Sequence, residues 1–414
     1  MSDFSGFDDV PVLSLDELVT QGEIELGRGN IISKTDIRNQ KGNYPIYSSS
    51  AKNNGKMGEY GKYMFNEELV TWSVDGGGAF FHRSKHKFSI TNVSGYMRAS
   101  PEKFNYIFLH GVLDYQHSFL DFDYQTKAHP SVIRKLYNIP IPPLSEQNKI
   151  AAILTAVDEA IENIQKQIDK LQDLKKATMN ELLTKGIGHT EFKDSALGQI
   201  PQEWLCLPLQ ALVKDYKGAL VDGPFGSNLK ISDYVDSGVP VLQGKNITND
   251  KFVWSGVRYI TPKKAEELSR SSVKVGDILI VKIGSIGYSA IIDNLSGYDL
   301  AIIPANLLKI DIDEMKAITE YVHHYLTSPI GKQRLIDAAS STAQPALSLG
   351  TVKRFRLPIP SLCEQMRISA ILTSIDCQIS VQTDKLCQLQ SLKISLMQDL
   401  LTGKARVNHA ELNI

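Results

Sequence analysis

Amide, hydroxyl, imidazole and amino side chains are concentrated in loops that follow or join predicted strands. In the first part of the chain they are Ser48, Ser49, Lys52, Asn53, Asn54, Lys127 and His129. In the second part they are Lys230, Gln243, Lys245, Asn246, Lys282, Ser285 and Gln344. Asn and Gln can form two hydrogen bonds with an adenine edge, and Lys and Arg can do so with guanine. If DNA is the ligand, these are the loop residues that we predict to contact it; for each residue the alternative is an ordinary polar loop position.

The sequence contains no complete catalytic motif. The Asn/Asp-Pro-Pro-aromatic loop with which adenine methyltransferases hold a flipped base is missing. Residues 238–246 (GVPVLQGKN) have five residues between the glycines and no Ser or Thr after the lysine, so they do not form a phosphate loop. Glu314-Met315-Lys316 matches half of a nuclease motif, but Asp299 is not preceded by Pro, and a solvated charge run is favoured. The chain is predicted not to be an enzyme.

Histidines and cysteines lack the spacing of a metal site. Neither the pair at 82 and 86 nor the pair at 323 and 324 has further ligands at zinc spacing, so solvent-facing histidines are predicted. The four cysteines (Cys206, Cys363, Cys377 and Cys387) include no C-x-x-C pair. Reduced thiols in a cytoplasmic protein are the prediction.

Composition predicts a globular chain of two or three domains. The 414 residues are 42% hydrophobic and 22% charged. The first ten residues lack the pattern of a secretory signal, and no run of about 20 apolar residues predicts a membrane span. The net charge of −1 is unusual for a protein that binds DNA unaided, so a partner is expected to supply much of the phosphate neutralisation.

An internal repeat is the strongest signal in the sequence. Residues 139–184 align without a gap with residues 357–402, and 21 of the 46 positions are identical. Each copy opens with Pro-x-Pro, which fixes extended backbone, and continues with Glu-Gln at a predicted helix start. A carboxylate there suits the positive end of the helix dipole.

Apolar residues in both copies recur in steps of three and four, the spacing of a coiled-coil seam. In the first copy they are Ile150, Leu154, Val157, Ile161, Ile164, Ile168 and Leu171. In the second copy they are Ile368, Leu372, Ile375, Ile379, Leu386 and Leu389, with Gln382 as one polar interruption. A narrow stripe on a helix of about 40 residues requires a partner, and the other copy is the obvious one.

The chain is therefore predicted to alternate domain and helix. The segments are a first domain (1–137), a long helix (138–185), a linker (186–200), a second domain (201–355), a second long helix (356–404) and a tail (405–414). In the second domain, strands are predicted at 239–244 and 252–260, a short helix at Pro262, a hairpin at 277–293 and a helix at 319–339.

The first domain shows the same order of predicted elements. It has a strand and loop at 44–50, a glycine-turn hairpin at 68–83 and a helix at 106–119. Residues 68–78 align with residues 277–287, and residues 128–130 correspond to residues 343–345. We predict one mixed α+β fold used twice. If the helices pair antiparallel, a pseudo-twofold axis relates the two halves, as suits a reader of a split DNA site.

These segments resemble Type I restriction–modification specificity subunits. IPIPPLSEQ and LPIPSLCEQ, each running into Leu-Leu-Thr, are similar to that family's conserved helical regions. GDILIVKIGSIG, VPVLQGKNI and GPFGSNLK resemble segments of its target recognition domains. The first domain departs most, because YPIYSSSAKNNGKMGEY suits a different subgroup.

The resemblance implies a subunit that directs two DNA adenine methyltransferase subunits to a bipartite site. In the restriction form it also implies two motor-nuclease subunits. S-adenosylmethionine is then expected in the methyltransferase, and ATP and Mg²⁺ in the motor, with none bound by this chain. The alternative from a different class is a coiled-coil scaffold whose globular domains bind proteins.

Overall fold

The computed structural model describes residues 4–50, 52–75, 78–120, 128–224, 228–339 and 346–407. The chain divides into two compact units. The first unit consists of Met1–Gln165 and Asp384–Ile414, and the second of Lys166–Thr383. Each unit therefore contains one predicted domain together with part of each long helix.

Two long helices dominate the described helical structure. The helices are α1 (Leu15–Thr20), α2 (Lys34–Asn39), α3 (Tyr106–His117), α4 (Pro130–Ile133), α5 (Leu144–Leu182), α6 (Pro262–Glu267), α7 (Thr319–Thr327), α8 (Pro329–Asp337), α9 (Leu349–Arg354) and α10 (Leu362–Leu401). The helices α5 and α10 have 39 and 40 residues, and each begins directly after a Pro-x-Pro segment. The two long helices and the mixed α/β class predicted from the sequence are confirmed.

The helix segments of the first unit run antiparallel. Lys393 Nζ lies 2.6 Å from Asp158 Oδ1. Ile150 and Leu154, near the start of α5, share one apolar core with Leu400 and Leu401 at the end of α10.

The second unit repeats this pairing with equivalent residues. Lys175 Nζ lies 2.6 Å from Asp376 Oδ1, and these are the repeat counterparts of Lys393 and Asp158. Met179, near the end of α5, shares an apolar core with Ile368, near the start of α10.

The predicted seam residues are buried or half-buried. Those fully buried are Ile150, Leu154, Ile164, Ile168, Ile368, Leu372 and Ile375. Those half-buried are Val157, Ile161, Leu171, Ile379, Leu386 and Leu389. Burial of one stripe along each helix is what a 3.5-residue repeat produces.

A six-stranded sheet forms the centre of the first domain. Its strands belong to the set β1 (Val12–Ser14), β2 (Ile24–Arg28), β3 (Tyr44–Tyr47), β4 (Lys56–Tyr60), β5 (Phe65–Ser73), β6 (Phe80–Ile90), β7 (Ser94–Ala99) and β8 (Asn138–Pro140). The order in the sheet is β2-β7-β5-β6-β3-β4, with β3 parallel to β6 and the other neighbours antiparallel.

The second domain divides the same plan between two sheets. Its strands belong to the set β9 (Phe192–Ser195), β10 (Gly198–Pro201), β11 (Leu205–Pro208), β12 (Leu220–Asp222), β13 (Tyr234–Val235), β14 (Val239–Val241), β15 (Ile247–Thr248), β16 (Lys251–Phe252), β17 (Arg258–Ile260), β18 (Ser272–Val273), β19 (Ile278–Val281), β20 (Ser289–Ile291), β21 (Ala301–Ile302), β22 (Leu307–Ile310) and β23 (Arg356–Ile359). The order β12-β22-β19-β20 corresponds to β2-β7-β5-β6, and β14 is parallel to β21 as β3 is to β6.

Three predicted elements of the second domain are wrong in extent, and the first is the predicted strand at 239–244, which ends at Val241. The predicted helix at 319–339 is two helices, because Pro329 lacks the N–H of a helix interior and Ser328 caps the second helix through a bond from Gly331 N. The predicted strand at 252–260 is strand only at its ends, in β16 and β17. The short helix at Pro262 is confirmed, with Thr261 as its cap.

The glutamine of each Glu-Gln pair ties the start of a long helix to the start of a shorter helix in the same domain, α3 or α7. Gln147 Oε1 accepts a hydrogen bond from Asn105 N at 2.9 Å, directly before α3. Gln365 Oε1 accepts one from Ile318 N at 2.8 Å, directly before α7. Both glutamines are fully buried, so each domain is fixed on its own helix start.

The glutamate of each pair holds the chain segment that leaves the other long helix. Glu364 accepts bonds from Ile187 N at 2.9 Å and from Trp204 Nε1 at 3.1 Å, after the end of α5. Glu146 accepts bonds from Arg406 Nε and Nη2 at 2.8 and 3.0 Å, after the end of α10. The carboxylates therefore do more than complement a helix dipole, the role the sequence predicted for them.

Candidate nucleic-acid interface

Three loops per domain occupy corresponding places in the strand order. The strand loop follows β3 in the first domain (48–55) and β14 in the second (243–250). The hairpin tip joins β5 to β6 in the first domain (74–79) and β19 to β20 in the second (282–288). The exit loop precedes the return to the long helix (128–129 and 346–348). Residues 51, 76 and 77 of these ranges lie outside the described residues.

Hydrogen bonds join the three loops of the first domain. Ser73 Oγ, at the end of β5, donates to Ser49 O at 2.8 Å and so ties the strand loop to the hairpin. Ala128 N donates to Val74 O at 2.8 Å, and Trp72 Nε1 donates to Ala128 O at 2.7 Å. All three loops therefore meet at one end of the strands β3, β5 and β6.

The strand loop of the first domain has a closed, left-handed shape. Ser48 N donates to Gly55 O at 2.8 Å and closes the loop. Asn53 and Asn54 both have φ of 51°, a conformation that Asn tolerates better than most residues. Lys52, Asn53 and Asn54 are exposed, whereas Ser48 is half-buried.

A buried arginine that the sequence prediction missed lies beneath this loop. Arg83, on β6, is 2% exposed. Its Nη1 donates to Asn54 O at 2.9 Å, and its Nε donates to Thr71 Oγ1 at 3.0 Å. Its guanidinium lies 3.7 Å from the centre of the Tyr47 ring. Burial lowers the pKa of Arg83 to about 10. The sequence of β6, FFHRSKHKFSI, is largely polar and does not indicate that the Arg83 side chain is buried.

In the second domain an asparagine within the strand loop itself fixes the loop. Asn246 is 0% exposed. Its Oδ1 accepts a bond from Gln243 N at 2.8 Å, and its Nδ2 donates to Val253 O and Ser255 O, both at 2.8 Å. With these bonds made, the Asn246 side chain is not available to a base edge, and we assign it a structural role.

A cavity of about 500 Å³ separates the strand loop from the hairpin tip of the second domain. Its wall contains Lys245 and Asn249 from the strand loop and Ser285 and Tyr288 from the hairpin. The fold thus brings together Lys245 and Ser285, two residues that the sequence placed in separate loops. Both are exposed.

Lys282 anchors the exit loop from the interior. It is 8% exposed, and its Nζ lies 3.3 Å from Asp222 Oδ2. Its backbone oxygen accepts a bond from Leu347 N at 3.0 Å, while Ile283 pairs with Ala346. Lys282 therefore forms a buried ion pair that supports the loops, and its side chain is not placed to reach a ligand.

Of the remaining predicted residues, Ser49 and Gln243 are half-buried, and the others are exposed or lie outside the described residues. His129 is exposed, with Nδ1 3.0 Å from Ser131 Oγ. Lys230 is exposed but does not line the cavity of the second domain. Lys127 and Gln344 lie outside the described residues.

The prediction of solvent-facing histidines is wrong for the pair at 323 and 324. His323 Nε2 lies 3.1 Å from Ser289 O, and His324 Nε2 lies 3.2 Å from Thr373 Oγ1. Burial lowers the pKa of both, that of His324 to about 3. His110 occupies the place of His323 in the first domain, 3.3 Å from Phe80 O. His323 and His110 therefore connect a helix to a strand, and His324 connects α7 to α10.

Within the described ranges, the side chains form no cluster of three or more His, Cys, Asp or Glu that could hold a metal ion. Over the same part of the chain, every helix is too short or too polar to cross a membrane.

Comparison with known proteins points to one family. The family model described as Type I restriction modification DNA specificity domain matches residues 12–173 and 228–391. The chain is 29% identical over 350 residues to the MjaVIII specificity subunit of Methanocaldococcus jannaschii, covering 83% of this chain and 80% of that protein. It is 26% identical over 355 residues to a putative type I specificity subunit of Mycoplasma pneumoniae, covering 84% and 85%.

Solved structures show the same fold. The S subunit of a type I system from M. genitalium matches with a TM-score of 0.62 at 16% identity, over 95% of this chain and 96% of that chain. A chain from a study of complex assembly and conformational transition of the type I system matches with a TM-score of 0.55 at 16% identity, over 96% and 98%.

Proposed function

Because the chain belongs to the Type I restriction–modification DNA specificity family, we propose that it reads a split DNA site, one half with each domain. Members of this kind are non-catalytic specificity subunits, and this chain is one of them. The observation that carries the proposal is that equivalent loops converge in both domains while the exposed side chains on them differ. Different side chains at the same loop positions predict two different half-sites.

The loops suit contact with base edges and phosphates. The first domain exposes Lys52, Asn53 and Asn54 on one loop, and the second exposes Lys245 beside Ser285. Amide and amino groups carry the two hydrogen-bonding patterns that distinguish adenine from guanine in the major groove. These five are the residues that we propose contact DNA.

Partner subunits complete the proposed activity. Specificity subunits assemble with the other subunits of their system and with DNA; we propose two methyltransferase subunits here and, in the restriction form, two motor-nuclease subunits. We also propose that S-adenosylmethionine, ATP and Mg²⁺ bind those partners. The net charge of −1 supports a shared interface, because tight DNA binding requires many cations near phosphates.

Methylation mapping at base resolution tests this proposal. Cells that express the chain with its methyltransferase should acquire a split methylated motif that cells without the chain lack. Exchange of residues 201–355 for the corresponding domain of a relative should alter one half of the motif and leave the other half unchanged. No new motif, in cells with an active methyltransferase, would contradict the proposal and favour a protein-binding scaffold.

A further inference from the structure

We propose that Arg83 is a positioning residue that gives the strand loop of the first domain the shape with which it reads its half-site. The inference rests on the proposed function and deepens it. It assigns sequence preference to a residue that does not itself contact DNA.

The first argument is the environment of the guanidinium. Arg83 is 2% exposed, and the groups that hold it are the Asn54 carbonyl, the Thr71 hydroxyl and the ring of Tyr47. These groups are uncharged. Burial of a cation against uncharged groups costs free energy that a methionine or leucine would not cost. An arginine in this position therefore serves some purpose other than stability.

The second argument is what the guanidinium holds. Its Nη1 hydrogen bond reaches the backbone oxygen of Asn54, between two residues with left-handed or glycine-like backbone, Asn53 and Gly55. A side chain at Gly55 would place its Cβ 3.2 Å from Arg83 Nη2, and the φ of Gly55 is +77°. Loop and arginine are fitted to each other, and neither conformation is one that most residues adopt.

The third argument is the position of the loop. Lys52, Asn53 and Asn54 are the exposed residues of this closed turn. Hydrogen bonds to base edges depend on both the donor–acceptor distance and the angle at the hydrogen. Without the hydrogen bond from Arg83 to the Asn54 carbonyl, these side chains would remain present but would no longer be held in one orientation. Preference between bases should therefore fall more than affinity for DNA.

The second domain supplies an internal reference. There Asn246, within the loop, makes the corresponding bonds. A change at Arg83 should therefore affect the first half-site alone.

The test uses the full chain in complex with its methyltransferase and the variants Arg83→Met and Arg83→Lys. Arg98→Met is the matched control, because Arg98 lies on β7 of the same sheet but bonds Glu67 and Glu25 at the surface. Binding is measured on the split-site duplex, on duplexes with single changes in either half, and at several salt concentrations. The domain exchange described above identifies which half belongs to which domain.

We expect Arg83→Met to reduce the preference for the correct first half-site over a changed one by about tenfold or more. This is the size of effect that one mismatched base pair has in a specific complex. Preference at the second half-site and the slope of affinity against salt should not change. Arg83→Lys, which retains charge but cannot make both bonds, should lose part of the preference. Arg98→Met should behave like the unaltered complex.

Three results would overturn the inference. Retained preference at the first half-site in Arg83→Met would do so, as would an equal loss at both half-sites, which indicates general damage to the fold. If Arg83→Met does not fold, an Arg83→Lys variant that keeps the full preference at the first half-site would also overturn the inference. An unaltered complex that prefers neither half-site would instead contradict the proposed function itself.

Discussion

The strand loops of the two domains occupy the same place in the strand order but are held by different side chains. In the first domain the anchor is Arg83, which comes from the neighbouring strand β6. In the second it is Asn246, which lies in the loop itself. The sheet thus sets where a loop lies, and a local anchor sets its shape. Such an arrangement allows loop shape to change while the sheet does not.

The helix segments of the two units, unlike the strand loops, are held by equivalent residues. The ion pair between Lys175 and Asp376 in the second unit has its counterpart between Lys393 and Asp158 in the first, and both have an N–O distance of 2.6 Å. The residues of this ion pair are identical in the two units, whereas the loop anchors differ. Within the helix seam, Gln382 is a polar residue whose counterpart is Ile164.

The largest effect is expected from removal of the loop anchor in the second domain. Asn246→Ala would leave Gln243 N, Val253 O and Ser255 O without their present partners, and buried polar groups without partners cost about 1–3 kcal/mol each. The free energy of unfolding, measured by denaturant titration, should fall by about 3 kcal/mol. Affinity for the second half-site should fall with it, while the first half-site is read as before.

Lys245→Ala is the matched control, because the neighbouring Lys245 is exposed. It should leave the free energy of unfolding within about 0.5 kcal/mol of the unaltered value and weaken DNA binding. If Asn246→Ala unfolds like the unaltered protein but loses base preference, then Asn246 acts as a reader and not as an anchor.

The sequence predicted the repeated architecture well, because that architecture depends on patterns that a chain displays openly. Steps of three and four along 139–184 and 357–402 predict long paired helices, and the Pro-x-Pro segments mark where they begin. The alignment of residues 68–78 with residues 277–287 also identified the equivalent strands β5 and β19.

Burial of individual loop residues could not be predicted in this way. Asn53 and Asn246 have the same side chain in equivalent loops, yet Asn53 is exposed and Asn246 is fully enclosed. The difference depends on where the chain returns: residues 253–255 fold back over the second loop and offer two carbonyl oxygens. Arg83 escaped prediction for the same reason, since its partners lie 12 and 29 residues away in the sequence.

A smaller, pH-dependent effect is expected at the start of β19. Asp277 is fully buried, one of its carboxylate oxygens has no hydrogen-bond partner among the described residues, and burial raises its pKa to about 6 from an ordinary 3.8. The folded state therefore holds the proton more tightly than the unfolded state. The resulting stabilisation is complete below about pH 4 and is lost as the pH rises through 6.

Asp277→Asn removes this dependence while retaining an oxygen for the bond from Lys274 N. The variant should gain about 2 kcal/mol over the unaltered protein at pH 8, and the gain should disappear towards pH 4. Denaturant titrations across this range measure it. A gain that is independent of pH would contradict the titration of Asp277 as its source.

The smallest effect is expected at the polar interruption of the helix seam. Gln382 Oε1 is buried and has no hydrogen-bond partner among the described residues, whereas the repeat counterpart Ile164 is fully buried and apolar. Gln382→Ile should therefore raise the free energy of unfolding by about 1 kcal/mol, and Ile164→Gln should lower it by more. Thermal unfolding of both variants measures the difference. A loss of stability in Gln382→Ile would mean that the glutamine fixes the register of the helix pair, as single polar seam residues do in other coiled coils.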